Sequence, residues 1–145
     1  MKVLVTGGSG FIGTNFIRLL VQKNIEVMNL DIQRPFDANQ NIHWQECDIL
    51  DQYKLFILFE KFQPTHVIHL AARTDCDETV TIKDGYQTNT VGTSNLLDVI
   101  KKTASVKRVI ITSSQFVFKT TKDLPKNYTD YRPHTVYGQS KVITE

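Results

Sequence analysis

The chain has 145 residues, of which 41% are apolar and 22% are charged, and its formal net charge is +2. This length and composition are typical of one soluble globular domain with a sizeable core. The small net charge gives no reason to expect a nucleic acid or a membrane surface as a partner. No apolar run approaches the roughly 18 residues of a membrane-spanning helix, and glycines break the first apolar run too early for a signal peptide.

The cysteines and histidines give no sign of a metal centre. The two cysteines, Cys47 and Cys76, lack metal-binding spacing and suit a reducing compartment. The four histidines fall on separate predicted strands or loops, so they form no ligand set. We therefore expect a cytoplasmic protein without a bound metal.

Short apolar runs alternate with longer amphipathic ones along the chain. Strands are predicted at residues 3–5, 25–30, 41–46, 66–70 and 109–112. Helices are predicted at residues 11–20 and 53–62, from near 86 to 103, and from near 137 onward, with a long irregular stretch at 119–135. This alternation predicts right-handed crossovers and a doubly wound parallel α/β sheet of at least five strands.

A glycine-rich turn follows the first predicted strand. Gly7, Gly10 and Gly13 recur at every third residue, and a predicted helix begins near Phe11. Glycines allow a sharp turn and a close approach of the backbone to a phosphate, and the helix start offers free N–H groups and a positive dipole end. This context predicts a site for the pyrophosphate of a dinucleotide, and a plain strand-to-helix turn is the alternative.

Asp31 ends the second predicted strand. A carboxylate at this position can accept hydrogen bonds from the adenosine ribose hydroxyls, and it would repel a 2′-phosphate. The sequence therefore favours NAD over NADP as the cofactor, although Arg34 could partly offset that repulsion. An ordinary turn residue at the strand end is the alternative for Asp31.

Further motifs follow in chain order: Cys47-Asp48-Ile49, His69-Leu70-Ala71-Ala72, Asn89-Thr90-Val91-Gly92-Thr93, Thr112-Ser113-Ser114 and Tyr137-Gly138-Gln139-Ser140-Lys141. With the glycine turn and Asp31, the chain resembles the extended short-chain dehydrogenases/reductases. Within them it is most similar to the NAD-dependent epimerase/dehydratase family, whose members act on nucleotide sugars. The resemblance covers essentially the whole chain and implies a Rossmann-type NAD-binding domain over residues 1–145.

The resemblance also implies which residues bind the cofactor. Asp48 and Ile49 would flank the adenine, the small residues after the fourth strand would let the cofactor pass, and Asn89 would support the active-site region. The implied cofactor-binding residues are Gly7, Gly10, Phe11, Ile12, Gly13, Asp31, Asp48, Ile49, Leu70, Ala71, Ala72, Asn89, Tyr137 and Lys141.

Tyr137 and Lys141 are the candidate proton-transfer pair. On a helix they would share one face, where the ammonium would stabilise a phenolate whose ordinary pKa of about 10 is too high for a base. As an isolated pair they would be a surface contact. The resemblance implies that Tyr137 is the acid/base for a sugar carbinol and that Lys141 also binds the nicotinamide ribose.

The same resemblance implies that Ser114 hydrogen-bonds the reacting oxygen, with Thr112 and Ser113 as competitors. Family dehydratases place an acidic pair directly after this hydroxyl residue, whereas this chain has Gln115 and Phe116. The sequence therefore favours a 4-epimerase, or a reductase or dehydrogenase of a nucleotide sugar, over a dehydratase.

Family members continue with further strands and a smaller carboxy-terminal domain that grips the nucleotide sugar. The resemblance therefore implies that residues 1–145 are an amino-terminal portion, with weak or no turnover alone. It also implies that a homodimer could form through the long helix predicted from near 86 to 103 and the helix predicted from near 137, which carries Tyr137 and Lys141. The alternative function is a non-catalytic NAD-binding or interaction module, or an inactive fragment of the enzyme.

Overall fold

The computed structural model describes residues 1–118 and 125–145. Its strands are β1 (Lys2–Thr6), β2 (Glu26–Asp31), β3 (Trp44–Glu46), β4 (His66–His69) and β5 (Arg108–Ile111). Its α-helices are α1 (Phe11–Gln22), α2 (Gln52–Phe62), α3 (Ile82–Gly85), α4 (Thr93–Lys102) and α5 (Val136–Val142). Short 3-10 helices lie at Ala38–His43 and Gln115–Val117, and a π-helical turn lies at Thr88–Gly92.

The strands form one five-stranded parallel sheet in the order β3-β2-β1-β4-β5. The strand order reverses between β1 and β4. In open α/β sheets, ligands bind at the carboxyl ends of the strands beside such a reversal. The predicted doubly wound parallel sheet is therefore confirmed, and its switch point lies directly after β1 and β4.

Successive residues of β1 point to opposite faces of the sheet, and helices pack on both of these faces. Val3 and Val5 pack in one buried cluster with Ile17 and Leu20 of α1. Leu4, between them, belongs to the opposite cluster, which contains Leu30, Leu55, Phe59, Val67 and Leu96. The sheet is thus buried on both faces, as parallel sheets are.

Two predicted elements differ from the structure at their starts. The predicted strand at 41–46 is wrong over its first half, because Asp37 accepts a hydrogen bond from the Asn39 amide and starts a 3-10 helix that runs to His43. The long helix predicted from near Tyr86 is interrupted, since the π-helical turn separates Tyr86 from the regular helix that begins at Thr93.

The predicted irregular stretch at 119–135 is only partly described. Residues 119–124 lie outside the described residues, and residues 125–135 contain no helix or strand. In the described part of the chain, no helix is both long and apolar enough to cross a membrane.

Candidate active site

A cleft of about 570 Å³ opens at the carboxyl ends of the strands. Its wall is made by the residues that follow β1, β2, β3, β4 and β5, together with α5. Most of the predicted site residues line it: Gly7, Gly10, Phe11, Ile12, Gly13, Asp31, Asp48, Ile49, Leu70, Ala71, Ala72, Tyr137 and Lys141. The fold therefore brings together residues from both ends of the sequence.

The glycine turn (residues 7–13) is tightly packed against the sheet and open toward the cleft. Gly7 has a φ of +71°, and a Cβ there would lie 2.5 Å from the amide nitrogen of Ala71. A Cβ on Gly13 would lie 2.6 Å from the carbonyl oxygen of Gly7. A Cβ on Gly10 would meet only that same oxygen, at 3.4 Å, and no side chain caps α1. The turn therefore leaves open space beside a free helix N-terminus.

The carboxylate of Asp31 is fixed at the rim of the cleft by two backbone amides. Ser9 N donates to one oxygen at 3.0 Å, and Gln33 N donates to the other at 2.9 Å. Ser9 is itself held, because Asn29 Nδ2 donates to its hydroxyl at 3.1 Å and that hydroxyl donates to the carbonyl of Gln33 at 2.7 Å. The turn and the acidic residue thus form one connected unit.

Arg34, the cation that could offset the charge of Asp31, is stacked on an aromatic ring. Its guanidinium carbon lies 5.3 Å from the ring centre of Trp44, whose indole N–H donates to the carbonyl of Asp31 at 3.0 Å. Arg34 is not among the residues that line the cleft. Arg34 therefore stacks on Trp44 and does not face the cleft, where it would have to lie to offset the repulsion between Asp31 and a 2′-phosphate.

Tyr137 and Lys141 are both buried on the cleft side of α5, with 8% and 3% of their surfaces exposed. The helix begins at Thr135, whose hydroxyl accepts a hydrogen bond from Gly138 N at 2.9 Å. A Cβ on Gly138 would collide with the carbonyl of Phe116, so the glycine lets α5 pack closely against the segment after β5. Burial lowers the pKa of Lys141, and the carboxylate of Glu145 opposes this effect.

The phenol ring of Tyr137 lies between two other aromatic rings. The ring of Tyr86 lies 6.2 Å away at an angle of 46°, and the ring of Phe116 lies 5.9 Å away, edge-on at 73°. Such tilted arrangements are favourable for aromatic pairs. The ring of Tyr137 is thus packed on its sides while the residue remains part of the cleft wall.

Asn89 lies behind the cleft wall and is not among the lining residues. Its side-chain oxygen accepts from Arg73 N at 2.8 Å, and its Nδ2 donates to the carbonyl of Arg73 at 3.1 Å and to Ser140 Oγ at 2.9 Å. Asn89 therefore ties the loop after β4 to α5. Both its expected supporting role and its place among the implied cofactor-binding residues remain predictions.

The hydroxyl residues after β5 are arranged differently from the expectation. Ser114 Oγ accepts a hydrogen bond from Phe116 N at 3.2 Å, at the start of a 3-10 helix, and Ser114 does not line the cleft. Thr112 and Ser113 do line it. Thr112 donates to the carbonyl of His69 at 2.9 Å, and Ser113 donates to Glu145. The cleft therefore presents the two competitors, while Ser114 caps its own turn.

His69 joins three elements beneath the cleft. Its Nδ1 lies 2.6 Å from Thr6 Oγ1, and its Nε2 lies 2.9 Å from Thr93 Oγ1. Burial, with a smaller contribution from the charge of Lys141, lowers the pKa of His69 to about 4. The imidazole is therefore neutral near pH 7 and links β1, β4 and α4.

Several lining residues were missed by the sequence analysis: Leu30, Ile32, Gln33, Cys47, Thr74 and Thr88. Each stands within two positions of a residue that was predicted, so extension of each motif by two residues would have found them. Burial raises the pKa of Cys47 to about 11, which keeps this wall residue a neutral thiol. Within residues 1–118 and 125–145, no three His, Cys, Asp or Glu side chains gather into a metal site.

A parallel sheet of this order, with a glycine turn at its switch point and a cleft above it, defines the class of Rossmann-type dinucleotide-binding domains. The sequence model of the NAD dependent epimerase/dehydratase family matches residues 3–145, and the chain belongs to this family of enzymes. The resemblance stated from the motifs is thereby confirmed.

Individual relatives of the chain include dehydratases and epimerases. The chain is 38% identical over 112 residues to a probable dTDP-glucose 4,6-dehydratase of Sinorhizobium fredii. This alignment covers 70% of this chain and 32% of that protein. It is 32% identical over 165 aligned residues to the UDP-glucose 4-epimerase of Bos taurus, with 99% and 47% covered. The chain therefore spans about a third to a half of the length of these relatives.

A solved structure shows the same fold. The UDP-glucose 4-epimerase from Brucella ovis, crystallised in complex with NAD, superposes with a TM-score of 0.84 at 33% sequence identity. The superposition covers 99% of this chain and 45% of that chain. Nearly every residue of this chain thus has a counterpart in the epimerase structure.

Proposed function

We propose that this chain is the NAD-binding part of a nucleotide-sugar epimerase, which transfers a hydride at a sugar carbinol with Tyr137 as the acid/base. The observation that carries the proposal is the position of Tyr137 and Lys141. Both are buried on one side of α5, and both line the same cleft as the glycine turn and Asp31. A candidate proton-transfer pair therefore faces a candidate dinucleotide site.

The fit to NAD rests on features of this chain. The open space at Gly10 and the uncapped N-terminus of α1 suit a pyrophosphate, because free N–H groups and the helix dipole favour an anion. The carboxylate of Asp31 suits ribose hydroxyls and disfavours a 2′-phosphate. When bound, NAD supplies the acceptor and the donor of the hydride. The Brucella ovis epimerase, which was solved with NAD, supports the same cofactor here.

The proposed chemistry assigns one proton to Tyr137. Its phenolate would take the hydroxyl proton as hydride leaves the sugar carbon, and its phenol would return a proton when the carbonyl is reduced. Lys141 is the proposed partner of this phenolate, because both side chains are buried on one side of α5 and line the same cleft. Ser114 is the proposed hydrogen-bond donor to the sugar oxygen, with Ser113 and Thr112 as the competitors that line the cleft.

Epimerisation is favoured over dehydration by the two residues that follow Ser114. Gln115 is exposed, and the ring of Phe116 packs edge-on against Tyr137 at 5.9 Å. Neither side chain can exchange a proton, whereas elimination of water needs an acid and a base beside the sugar. The positions at which family dehydratases carry their acidic pair are therefore occupied by an amide and an aromatic ring.

The proposed partner is a nucleoside diphosphate sugar. The relatives named for UDP-glucose and dTDP-glucose support this substrate class. A homodimer through α4 and α5 is a further prediction from the family resemblance.

The test measures binding and chemistry separately in the same chain. We expect calorimetry to show binding of NAD and weaker binding of NADP. With UDP-glucose, dTDP-glucose and the C4 epimer of UDP-glucose, we expect any turnover to be epimerisation without loss of water. Tyr137→Phe should still bind NAD and should lower any turnover by about a hundredfold or more.

Two outcomes would contradict this proposal in different ways. Absence of NAD binding would overturn the cofactor assignment. Binding of NAD with no sugar oxidation or epimerisation, both in this chain and in a longer protein that joins it to a family carboxy-terminal domain, would favour a cofactor-binding module without chemistry.

A further inference from the structure

A cluster of charged side chains occupies the loop between β4 and α3. The guanidinium of Arg73 donates through Nε to both carboxylate oxygens of Asp75, at 3.0 and 2.9 Å. Its two terminal nitrogens reach the Asp77 carboxylate and the carbonyl of Gly85, each at 3.0 Å. Because this planar group engages partners on both sides of the loop, it ties the two ends of the loop together.

Arg73 also holds the ring of Tyr86, which is fully buried. The guanidinium carbon lies 5.1 Å from the ring centre, and the Tyr86 hydroxyl approaches the Asp75 carboxylate at 3.4 Å and the carbonyl of Asp77 at 3.3 Å. Burial and the charge of Asp75 raise the pKa of Tyr86, so the hydroxyl stays a donor. The ring is therefore fixed both over its face and at its hydroxyl.

This loop and Tyr86, the residue that follows α3, each contact α5. The ring of Tyr86 lies 6.2 Å from the ring of Tyr137. The Glu78 carboxylate accepts from Val136 N at 3.1 and 3.2 Å, at the first residue of α5. Arg73 does not line the cleft, so it can influence the cleft only through the residues that it holds.

We propose that Arg73 is a positioning residue, which fixes the ring of Tyr86 and through it the ring of Tyr137. The inference rests on the proposed function only for the role of Tyr137. An acid/base must lie within hydrogen-bond reach of the proton that it transfers, and a misplacement of about 1 Å can cost roughly a hundredfold in rate. Lysine cannot replace the planar fork of arginine at such a site.

The test follows the tyrosine rings directly in the ligand-free 145-residue protein. Tyrosines are labelled with ¹³C at Cζ, and the signals of Tyr86 and Tyr137 are assigned with Tyr86→Phe and Tyr137→Phe. Arg73→Met, which keeps a side chain of similar length without the charge, is expected to shift both signals. Arg73→Lys is expected to restore the Tyr137 signal only in part.

The matched control removes an arginine ion pair elsewhere. Arg18, in α1, pairs with Asp37 at 3.7 Å. Arg18→Met should leave the Tyr137 signal unchanged. The exposed Tyr53 and Tyr128 serve as internal references, because neither should respond to either variant.

An unchanged Tyr137 signal in Arg73→Met would overturn the proposal. A purely stabilising role of Arg73 would lower the unfolding temperature without moving this signal at lower temperature. If Arg73→Met does not fold, Arg73→Lys decides the question: a Tyr137 signal displaced from its wild-type position supports the proposal, and an unchanged signal overturns it. Because no ligand is present, a failure to bind NAD would overturn the proposed function and leave this result standing.

Discussion

The two walls of the cleft are held in place by different means. In the wall formed by β1, the glycine turn and β2, the order comes mainly from the backbone, as in the left-handed conformation of Gly7, and Ser9 adds hydrogen bonds with Asp31 and Asn29 over at most 22 positions. In the wall formed by the loop after β4 and by α5, it comes from side-chain hydrogen bonds between distant residues. Asn89 and Ser140 are 51 positions apart, and Glu78 and Val136 are 58 apart. The wall with the glycine turn thus depends mainly on backbone geometry, and the wall with the candidate acid/base depends on contacts between residues more than 50 positions apart.

The largest expected effect breaks the backbone-held wall. Gly7→Ala forces a side chain into a left-handed conformation and against the Ala71 backbone. Strain and overpacking together should lower the free energy of unfolding by about 4 kcal/mol, measured by denaturant titration.

Gly10→Ala is the matched control in the same turn. A Cβ at Gly10 meets only one atom, at 3.4 Å, and the residue lines the cleft. The free energy of unfolding should fall by only about 0.5 kcal/mol, while NAD binding weakens because the methyl group occupies the open space. Equal destabilisation by the two substitutions would contradict the difference between these glycines.

The next effect concerns His69, which joins β1 to α4 through Thr6 and Thr93. Its folded-state pKa of about 4 lies below the ordinary value of 6.5, so the unfolded chain binds more protons between these values. The neutral imidazole contributes fully to the free energy of unfolding above pH 6.5. This free energy should fall by about 3 kcal/mol as the pH falls toward 4. Denaturant titrations over this range should show a steeper loss in the wild type than in His69→Gln. Equal slopes would contradict this account.

A smaller effect sharpens the description of the wall held by side chains. Asn89→Leu leaves both backbone groups of Arg73 and the hydroxyl of Ser140 without a side-chain partner. The free energy of unfolding should fall by about 2 kcal/mol. Ser140→Ala, which removes one of these partners, should cost about 1 kcal/mol. If Asn89→Leu lowers the free energy of unfolding no more than Ser140→Ala does, the hydrogen bonds between Asn89 and the Arg73 backbone do not stabilise the fold.

The smallest effect is expected at the start of α5. Glu78→Gln keeps a hydrogen-bond acceptor for Val136 N but removes the negative charge from the helix N-terminus. The free energy of unfolding should fall by about 0.5 kcal/mol at low salt and by less at high salt. Glu60→Gln, at an exposed position of α2, should change nothing measurable by the same method. An equal decrease in the free energy of unfolding for Glu60→Gln would contradict the capping role of Glu78.

The cleft wall could be predicted because its residues stand directly after strands. Gly7 follows β1, Asp31 ends β2 and Leu70 follows β4. In a parallel sheet the carboxyl ends of all strands meet at one edge, so correct strand assignment already brings these residues together. The short strand β3 was predicted too long, because the Asp37 cap that starts the 3-10 helix competes locally with the extended conformation.

The contacts behind the wall could not be predicted. Nothing in the sequence near Arg73 indicates that its partners include Gly85 and the ring of Tyr86. Such pairs have no periodicity, because they depend on how a loop folds over a finished sheet. The turn of Ser114 toward Phe116 N is equally hidden, since serine can satisfy its hydroxyl locally or in a cleft.

Trp44 provides an intrinsic fluorescence reporter beside Asp31, at one end of the cleft. It is the single tryptophan of the chain, its indole N–H is bonded to the carbonyl of Asp31, and the cation of Arg34 lies over its ring. Indole emission depends on the charge and polarity around the ring. A ligand that settles against Asp31 should therefore change the intrinsic fluorescence, and cofactor binding can be followed without any label.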